Sequence, residues 1–257
     1  MPGLADCCAI AVMAKAPRPG HVKTRLQGLL TPDEAAGLGA AFLTDTTANL
    51  AAAARDAPIH PYVAYAPAGQ EARFAGLLAP GTQLILADGC KADSLNSRPE
   101  GAEAAGVEGF GRILLHALTG LFALGYGAVA LLSADSPTVP TPWLVQAARR
   151  ILAPGARAVL GPAEDGGYWL IALQSPEPAL FARIAWSTGT VAARTAERAA
   201  EIGLPLDILG TWFDVDDRDS LMRLLDRSDT ASYAAPATMA RLQHLRLADR
   251  LAHAGPA

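Results

Sequence analysis

Short apolar segments of strand length alternate with segments of helical character almost throughout this chain, and that alternation constrains the fold more than any other feature. Strands that alternate with helices along a sequence pair side by side in a mainly parallel sheet, with helices covering both faces. The sequence therefore predicts an α/β protein with a three-layer α/β/α sandwich. With 257 residues, the chain is long enough to bury a large core in one main domain.

The boundaries of the predicted elements follow from the apolar runs and the turn residues between them. Strands are expected at Cys8–Ala14, Ile59–Tyr65, Gln83–Ala87, Ala128–Leu132, Ala156–Leu160, Tyr168–Leu173 and Leu206–Leu209. Helices are expected at Thr31–Ala54, at Gln70–Leu78, over about 14 residues before Gly125, at Trp143–Leu152, at Val191–Ile202 and from Asp217 onwards. Residues 88–108 are polar and rich in small residues, which predicts a mobile surface insertion.

Charge and cysteine content argue against several classes of function. The formal charge is −4 and Lys and Arg form no long run, so we expect no nucleic-acid partner. The three cysteines lack metal-ligand spacing and no secretory signal opens the chain, which favours a cytoplasmic protein. Residues 113–132 contain no charged side chain, but Gly125 and Gly127 interrupt them, so we expect no membrane span.

A lone carboxylate, Asp135, follows the apolar run 128–132 and precedes three prolines. In an open α/β sheet, ligands bind at the carboxyl ends of the strands, and a carboxylate held there is well placed to bind a divalent cation on a phosphate. The alternative is that Asp135 only caps the next helix or turn. Both interpretations place it at the end of a buried strand.

The loop after the first strand carries four cations in the segment 15–25, and Pro17 and Pro19 stiffen it. It has neither a Walker sequence nor Gly-x-Gly-x-x-Gly, so it supports neither an ATPase nor a Rossmann dehydrogenase. Such a loop can neutralise a polyphosphate, because Arg donates paired hydrogen bonds and Lys supplies a point charge. The alternative is a solvated basic turn. The four cations are Lys15, Arg18, Lys23 and Arg25.

Two further segments contain carboxylates. Glu164 and Asp165 precede Gly166 and Gly167 between two apolar strands, which indicates either a backbone that approaches a ligand closely or a simple hairpin turn. In the segment 212–217, Asp214 and Asp216 alternate and so point to one side of an extended chain, about 7 Å apart. With Asp135 they could share a metal ion, while Asp217 is expected to cap the last helix.

Five segments together resemble the DUF2064 family, whose members are described as glycosyltransferase A-like transferases. The resemblance spans about residues 8–226 and depends on Met13-Ala-Lys-Ala-Pro-Arg-Pro-Gly20 with Val22-Lys-Thr-Arg-Leu26, Ser133-Ala-Asp-Ser-Pro-Thr138, Gly161-Pro-Ala-Glu-Asp-Gly-Gly-Tyr168, Trp186-Ser-Thr188 and Phe213-Asp-Val-Asp216. It implies the GT-A, or nucleotide-diphospho-sugar transferase, fold for residues 1–227. It also implies kinship with the nucleotidyltransferases of cofactor biosynthesis.

The resemblance also implies roles for single residues. Lys15, Lys23 and Arg25 would contact phosphates, with Arg18 and Thr24 in the same binding loop. Asp135 with Asp214 or Asp216 would hold Mg²⁺ (or Mn²⁺). The acceptor would meet Glu164, Asp165, Gly166, Gly167, Tyr168, Trp186, Ser187 and Thr188, although Trp186-Ser-Thr188 reads equally well as a helix start with Ser187 or Thr188 as N-cap. The residues expected to take part in catalysis are Lys23, Arg25, Asp135 and Asp165.

Two reactions fit these residues, and both use a nucleotide and a small-molecule acceptor. In nucleotidyl transfer, an anionic or phosphorylated acceptor attacks the α-phosphorus of an NTP and pyrophosphate leaves, which gives the basic loop a clear task. In glycosyl transfer from a nucleotide-sugar, a nucleoside diphosphate leaves, and Asp165 or Glu164 could be the general base. We favour nucleotidyl transfer. A nucleotide-binding protein without turnover is the third hypothesis, and the retained carboxylates argue against it.

The segment 228–257 lies beyond the resemblance and is predicted as a C-terminal helical extension. Its apolar and basic residues alternate at helical spacing, which indicates one amphipathic helix that packs on the domain or on a second subunit of a homodimer. The residues concerned are Met239, Leu242, Leu245 and Leu247 with Arg241, Arg246 and Arg250.

Overall fold

The described part of the chain forms a seven-stranded sheet with helices on both faces. The computed structural model describes residues 3–88, 106–226 and 232–253. The strands are β1 (Cys8–Lys15), β2 (Ile59–Ala66), β3 (Gln83–Leu86), β4 (Ala128–Ser133), β5 (Ala158–Pro162), β6 (Tyr168–Leu173) and β7 (Leu206–Ile208). Their spatial order is β3-β2-β1-β4-β6-β5-β7, and only the pairs made by β6 are antiparallel. The predicted mainly parallel α/β/α sandwich is confirmed.

The helices cover the two faces of this sheet. They are α1 (Pro32–Ala53), α2 (Phe110–Ala123), α3 (Thr141–Ile151), α4 (Val191–Glu201), α5 (Arg218–Asp226), α6 (Pro236–His244) and α7 (Leu247–His253). Helix α1 begins as predicted, because the Thr31 hydroxyl accepts a hydrogen bond from the Glu34 amide and the Glu34 carboxylate accepts one from the Thr31 amide. Asp217 caps α5 as predicted, since its carboxylate accepts from the Ser220 amide at 2.9 Å.

The central strand β1 explains why the strands read as almost unbroken apolar runs. Ile10 and Val12 pack on the side of α1 and α3, whereas Ala9 and Ala11 face α2 on the other side. A strand covered on both faces needs apolar residues at every position. The order of the sheet reverses between β1 and β4, so the loops that follow these two strands leave in different directions and open a crevice at their carboxyl ends.

Three sequence predictions about elements were wrong. Instead of a helix at 70–78 there is only a 3-10 turn at Glu71–Phe74, because the chain turns into the left-handed region at Gly76 (φ +74°). The strand predicted at 156–160 lies at 158–162. The single amphipathic helix of the tail is divided into α6 and α7 at Arg246, whose φ is +47°. Most of the predicted insertion, residues 89–105, lies outside the described residues.

The charge-free stretch 113–132 is divided between a helix and a strand. Helix α2 ends at Ala123, Gly125 adopts a φ of +96°, and β4 begins at Ala128. Over the described ranges, no helix combines the length and the apolar character that crossing a membrane requires.

The C-terminal helices pack on the same chain. Leu242, Leu245, Leu247 and Leu251 are buried in the core cluster that also contains the inner face of α1. The buried carboxylate of Asp45, on α1, accepts hydrogen bonds from the backbone amides of Ala237 (3.0 Å) and Thr238 (2.6 Å). Those amides belong to the first turn of α6, so a side chain of α1 caps α6 across the interface.

We expect Asp45→Ala to lower the free energy of unfolding by about 3 kcal/mol, because it leaves one buried and one partly buried amide without an acceptor. Chemical denaturation monitored by circular dichroism measures this loss. Asp45→Asn keeps one acceptor oxygen at the same place and should lose clearly less. A change below about 0.5 kcal/mol for Asp45→Ala would show that the cap contributes little.

Candidate active site

A cavity of about 750 Å³ opens at the carboxyl ends of β1, β4 and neighbouring strands. It brings together most of the side chains predicted from the sequence, although they come from five separate segments. The predicted residues that line it are Lys15, Lys23, Thr24, Arg25, Asp135, Asp165, Gly167, Tyr168, Trp186, Ser187, Thr188, Asp214 and Asp216. Arg18, Glu164 and Gly166 do not line it.

Lys23 lies at the centre of the charged part of the cavity. Its ammonium group forms ion pairs with Asp135 and, at 3.0 Å, with Asp216, and it donates a hydrogen bond to the carbonyl of Val215 at 2.8 Å. The side chain is only 4% exposed and passes over the ring of Phe42. Burial alone would lower the pKa of Lys23, but the Asp135 and Asp216 carboxylates outweigh it and raise that pKa, so the amine is charged.

Asp135 and Asp216 lie on two segments that a backbone hydrogen bond joins. The Val215 amide donates to the carbonyl of Asp135 at 2.8 Å, which ties the loop after β4 to the segment 212–217. That segment is anchored by Trp212 and Val215, which are buried, so Asp214 and Asp216 face the cavity. The predicted alternation of the segment is therefore confirmed.

Asp214 has a different environment from the other two carboxylates. It accepts a hydrogen bond from the Ser136 hydroxyl. Burial raises the pKa of Asp214 to about 7, the Ser136 hydrogen bond lowers it, and the nearby Asp135 carboxylate raises it further. Asp214 is therefore partly protonated near neutral pH, and burial raises the pKa of Asp135 as well.

Two of the three carboxylates predicted as metal ligands are placed to bind one divalent cation, and the third is not. Asp135 and Asp216 converge on a single cation position, and one or two carboxylates with substrate phosphates are how proteins usually bind Mg²⁺. Across residues 3–88, 106–226 and 232–253, however, no three His, Cys, Asp or Glu side chains are arranged around one metal position. The structure thus brings two of the three predicted ligands together and turns Asp214 towards Ser136.

In the hairpin between β5 and β6, Glu164 and Asp165 point to different surroundings, a difference that the sequence did not predict. Glu164 forms an ion pair with Arg223 away from the cavity, whereas Asp165 lines the cavity and accepts a hydrogen bond from the Gly167 amide at 2.8 Å. The predicted hairpin turn is therefore confirmed, and the side of the loop that carries Asp165 and Gly167 faces the cavity.

Gly166 is required by a close backbone approach. Its φ is +86°, and a Cβ there would overlap the carbonyl group of Gly189 and lie 2.6 Å from the Gly189 Cα. The Gly166 carbonyl also accepts a hydrogen bond from the Ala192 amide at 2.8 Å. The glycine therefore fixes the hairpin against the start of α4.

The segment 186–188 does not cap a helix. Helix α4 begins at Val191 after Thr190, which makes no side-chain cap, and the Thr188 hydroxyl donates to the Ala185 carbonyl at 2.7 Å. The N-cap alternative for Ser187 or Thr188 was therefore wrong. All three residues of the segment line the cavity instead.

One wall of the cavity is apolar and was not predicted. Phe110, Ile113 and Leu114 of α2 line it, and the Phe110 ring lies edge-on to Trp186 with 5.6 Å between centroids. The Tyr168 hydroxyl and the Trp186 indole nitrogen are buried at this wall without a hydrogen-bond partner among the described residues. Residues of an apolar helix face carry no sequence signal that distinguishes a cavity wall from a core.

A second depression, of about 870 Å³, lies on the outer side of α3. Arg149, Arg150 and Arg157 line it, but each of their guanidinium groups donates to a backbone carbonyl. None of the predicted site residues lines this depression, whereas most of them line the cavity at the strand ends.

Among solved structures, a protein from Desulfovibrio desulfuricans G20, provisionally described as a nucleotide-diphospho-sugar transferase, is 26% identical, with a TM-score of 0.73 over 95% of this chain and 98% of that chain. CMP:2-keto-3-deoxy-manno-octonic acid synthetase in complex with CTP is 10% identical over 85% and 96% of the two chains, with a TM-score of 0.49. A cytidylyltransferase from Leptospira borgpetersenii serovar Hardjo-bovis is 10% identical over 97% and 98%, with a TM-score of 0.48. A comparison with curated proteins finds no match.

The protein is a transferase with the nucleotide-diphospho-sugar transferase fold. The sequence model of "Uncharacterized protein conserved in bacteria (DUF2064)" matches residues 49–188, which is more than half of the chain. The chain therefore belongs to the DUF2064 family, as the sequence motifs predicted.

Proposed function

We propose that this protein is a nucleotidyltransferase, which joins the NMP part of an NTP to a small phosphorylated or anionic acceptor and releases pyrophosphate. The observation that carries the proposal is that cations of one loop and carboxylates of two others line the same cavity. Cations beside the β- and γ-phosphates are needed when pyrophosphate leaves, and carboxylates are needed for the metal that bridges phosphate oxygens.

We divide the residues by role into those that bind phosphates, those that hold the metal and those that contact the acceptor. Lys15, Arg25 and Lys23 bind the phosphates. Asp135 and Asp216 would hold Mg²⁺ or Mn²⁺, which would polarise a phosphate oxygen and neutralise developing charge. An acceptor oxygen then forms a bond to the α-phosphorus while the bond from the α-phosphorus to the bridging oxygen breaks, and pyrophosphate leaves with that oxygen.

The acceptor is proposed to lie between the hairpin and the apolar wall. Asp165 can hydrogen-bond a hydroxyl or amine of the acceptor, or receive a proton from it, because its carboxylate is on the exposed side of the cavity. The Tyr168 and Trp186 side chains form the wall beside this position, with the Tyr168 hydroxyl and the Trp186 indole nitrogen buried in it. Ser187 and Thr188 add hydroxyl groups at the edge of the same wall.

Glycosyl transfer from a nucleotide-sugar is the second candidate. It is favoured by the likeness to the Desulfovibrio protein described as a nucleotide-diphospho-sugar transferase. In this reaction the anomeric carbon of the sugar bonds to the acceptor oxygen, the acceptor proton passes to a base such as Asp165, and a nucleoside diphosphate leaves.

A thermal-shift panel with Mg²⁺, NTPs and UDP- or GDP-sugars separates the two reactions. A ligand that binds only the folded state raises the Tm. We expect a larger shift with one NTP than with the matching nucleotide-sugar. The reverse order would favour glycosyl transfer, and no shift with any nucleotide would contradict both.

The variant Arg25→Ala tests which leaving group the loop serves. We expect it to weaken NTP binding about tenfold or more and nucleotide-sugar binding much less, because only the NTP presents a γ-phosphate. Titration calorimetry measures both affinities. Arg18→Ala removes the same charge from the same loop outside the cavity, so its effect should be smaller. Equal losses for both ligands in Arg25→Ala would count against nucleotidyl transfer.

A further inference from the structure

The position of Lys23 in the described structure differs from that of the other cations around the cavity. Lys15 and Arg25 are exposed at the edge of the cavity, and neither forms an ion pair with Asp135 or Asp216. Lys23 alone among these three is enclosed, with 4% of its side chain exposed. In the absence of a ligand, its partners are thus the two carboxylates.

The backbone at Lys23 supports the same conclusion. Its φ and ψ are 49° and 40°, in the left-handed region that residues other than glycine adopt rarely. Such a conformation persists only where surrounding contacts determine it. Here those contacts are made by the ammonium group with Asp135, Asp216 and the Val215 carbonyl, together with the ring of Phe42 at 4.8 Å.

The ammonium group occupies the point on which the two carboxylates converge. Lysine Nζ contacts Asp216 Oδ1 at 3.0 Å and an oxygen of Asp135, and a divalent cation bound by the same two carboxylates would need those oxygens at a shorter distance. Two positive charges at contact distance from the same oxygens repel each other, so Lys23 and a divalent cation compete for them.

We propose that Lys23 is the resident counterion of the Asp135–Asp216 pair in the free protein, and that Lys23 and a divalent cation exclude each other there. Phosphates entering the cavity offer Lys23 a new partner and so release the carboxylates for the metal. The metal therefore binds weakly to the free protein and together with the nucleotide. This inference rests on the proposed function for its phosphate ligand, while the exclusion itself requires no substrate.

The test is Mn²⁺ binding without nucleotide, followed by the electron paramagnetic resonance signal of free Mn²⁺. Lys23→Met keeps the length and apolar stem of the side chain and removes its charge. We expect it to bind Mn²⁺ about tenfold more tightly than the natural protein. Lys15→Met removes a charge from the same loop without touching the carboxylates and should leave the Mn²⁺ affinity unchanged. Equal affinities for Lys23→Met and the natural protein overturn the inference.

A second variant separates failure of the inference from failure of the proposed metal site. Adding Asp135→Asn to Lys23→Met should abolish the gain in Mn²⁺ affinity. If the double variant binds Mn²⁺ as tightly as Lys23→Met does, the metal is held elsewhere, and both the inference and the proposed role of Asp135 are wrong. If only the first comparison fails, the proposed function is unaffected.

The natural protein provides a measurement that does not depend on the folding of a variant. The chain contains only three lysines, Lys15, Lys23 and Lys91, so amine-labelling rates can be assigned by mass spectrometry. We expect Lys23 to label more slowly than Lys15, and saturating Mn²⁺ to raise the rate at Lys23 several-fold relative to Lys15. A Lys23 rate that does not respond to Mn²⁺ overturns the exclusion.

Discussion

Asp135→Asn is expected to lower the rate of transfer by about 10³-fold while the protein remains folded. The substitution keeps the size of the side chain but removes the charge that pairs with Lys23 and that would bind the metal. Release of pyrophosphate, or of nucleoside diphosphate if the reaction is glycosyl transfer, measures the rate with the nucleotide that the thermal-shift panel identifies. The Tm reports the fold in the same samples.

The control for Asp135→Asn is Glu197→Gln, which neutralises an exposed carboxylate on α4 whose ion-pair partner among the described residues is Arg194 of the same helix. An exposed pair of this kind contributes little, so activity and Tm should stay near those of the natural protein. A rate above about a tenth of the natural value in Asp135→Asn would show that Asp135 is not a ligand of the reacting phosphate or its metal. Loss of the folded state would instead indicate a structural role.

The second large effect is expected for Gly166→Ala, which should lower the rate of transfer about 100-fold. The new Cβ overlaps the carbonyl group of Gly189, and the φ of +86° is strained for alanine. Because backbone atoms cannot move aside as a flexible side chain can, the hairpin that carries Asp165 must shift. A displacement of about 1 Å in a positioning loop is enough for a loss of this size.

Gly203→Ala is the matched control for Gly166→Ala. Gly203 has a similar φ of +68°, but no atom lies within 4 Å of the position that its Cβ would take. It follows α4 and lies outside the cavity. We expect the same modest loss of stability, about 1 kcal/mol, without a loss of activity. If both variants lose activity equally, the strain at Gly166 rather than its contact with Gly189 would be responsible.

The sequence predicted the parts of this protein that depend on local pattern. Apolar runs identified the strands, and the abrupt end of one run at Asp135 located the site, because strand ends in such a sheet gather ligands. The N-caps at Thr31 and Asp217 could also be predicted from local sequence, because each cap involves residues three positions apart. Local patterns also explain the error at 70–78, where helix formers surround Gly76, whose positive φ is incompatible with a continuing helix.

The contacts that define the site could not be predicted, because they join residues far apart in the chain. Lys23 meets Asp216 across 193 positions, and nothing near either residue records that meeting. The sequence assigned Lys23 to phosphate and Asp216 to metal as separate tasks. The antiparallel direction of β6 could not be predicted either, because both a hairpin and a crossover can follow the apolar run of β5. The contrast between Glu164 and Asp165 depends on Arg223, which lies on α5.

Helix α1 lies between the cavity and the C-terminal helices. Gly39 and Leu43 on one side line the cavity, while on the other side Gly37 is covered by Arg241 and Asp45 holds the start of α6. A helix moves nearly as a rigid body. Looser packing of the C-terminal helices would therefore let α1 shift, and with it one side of the cavity. The packing of the C-terminal segment thus bears on the width of a cavity that none of its described residues lines.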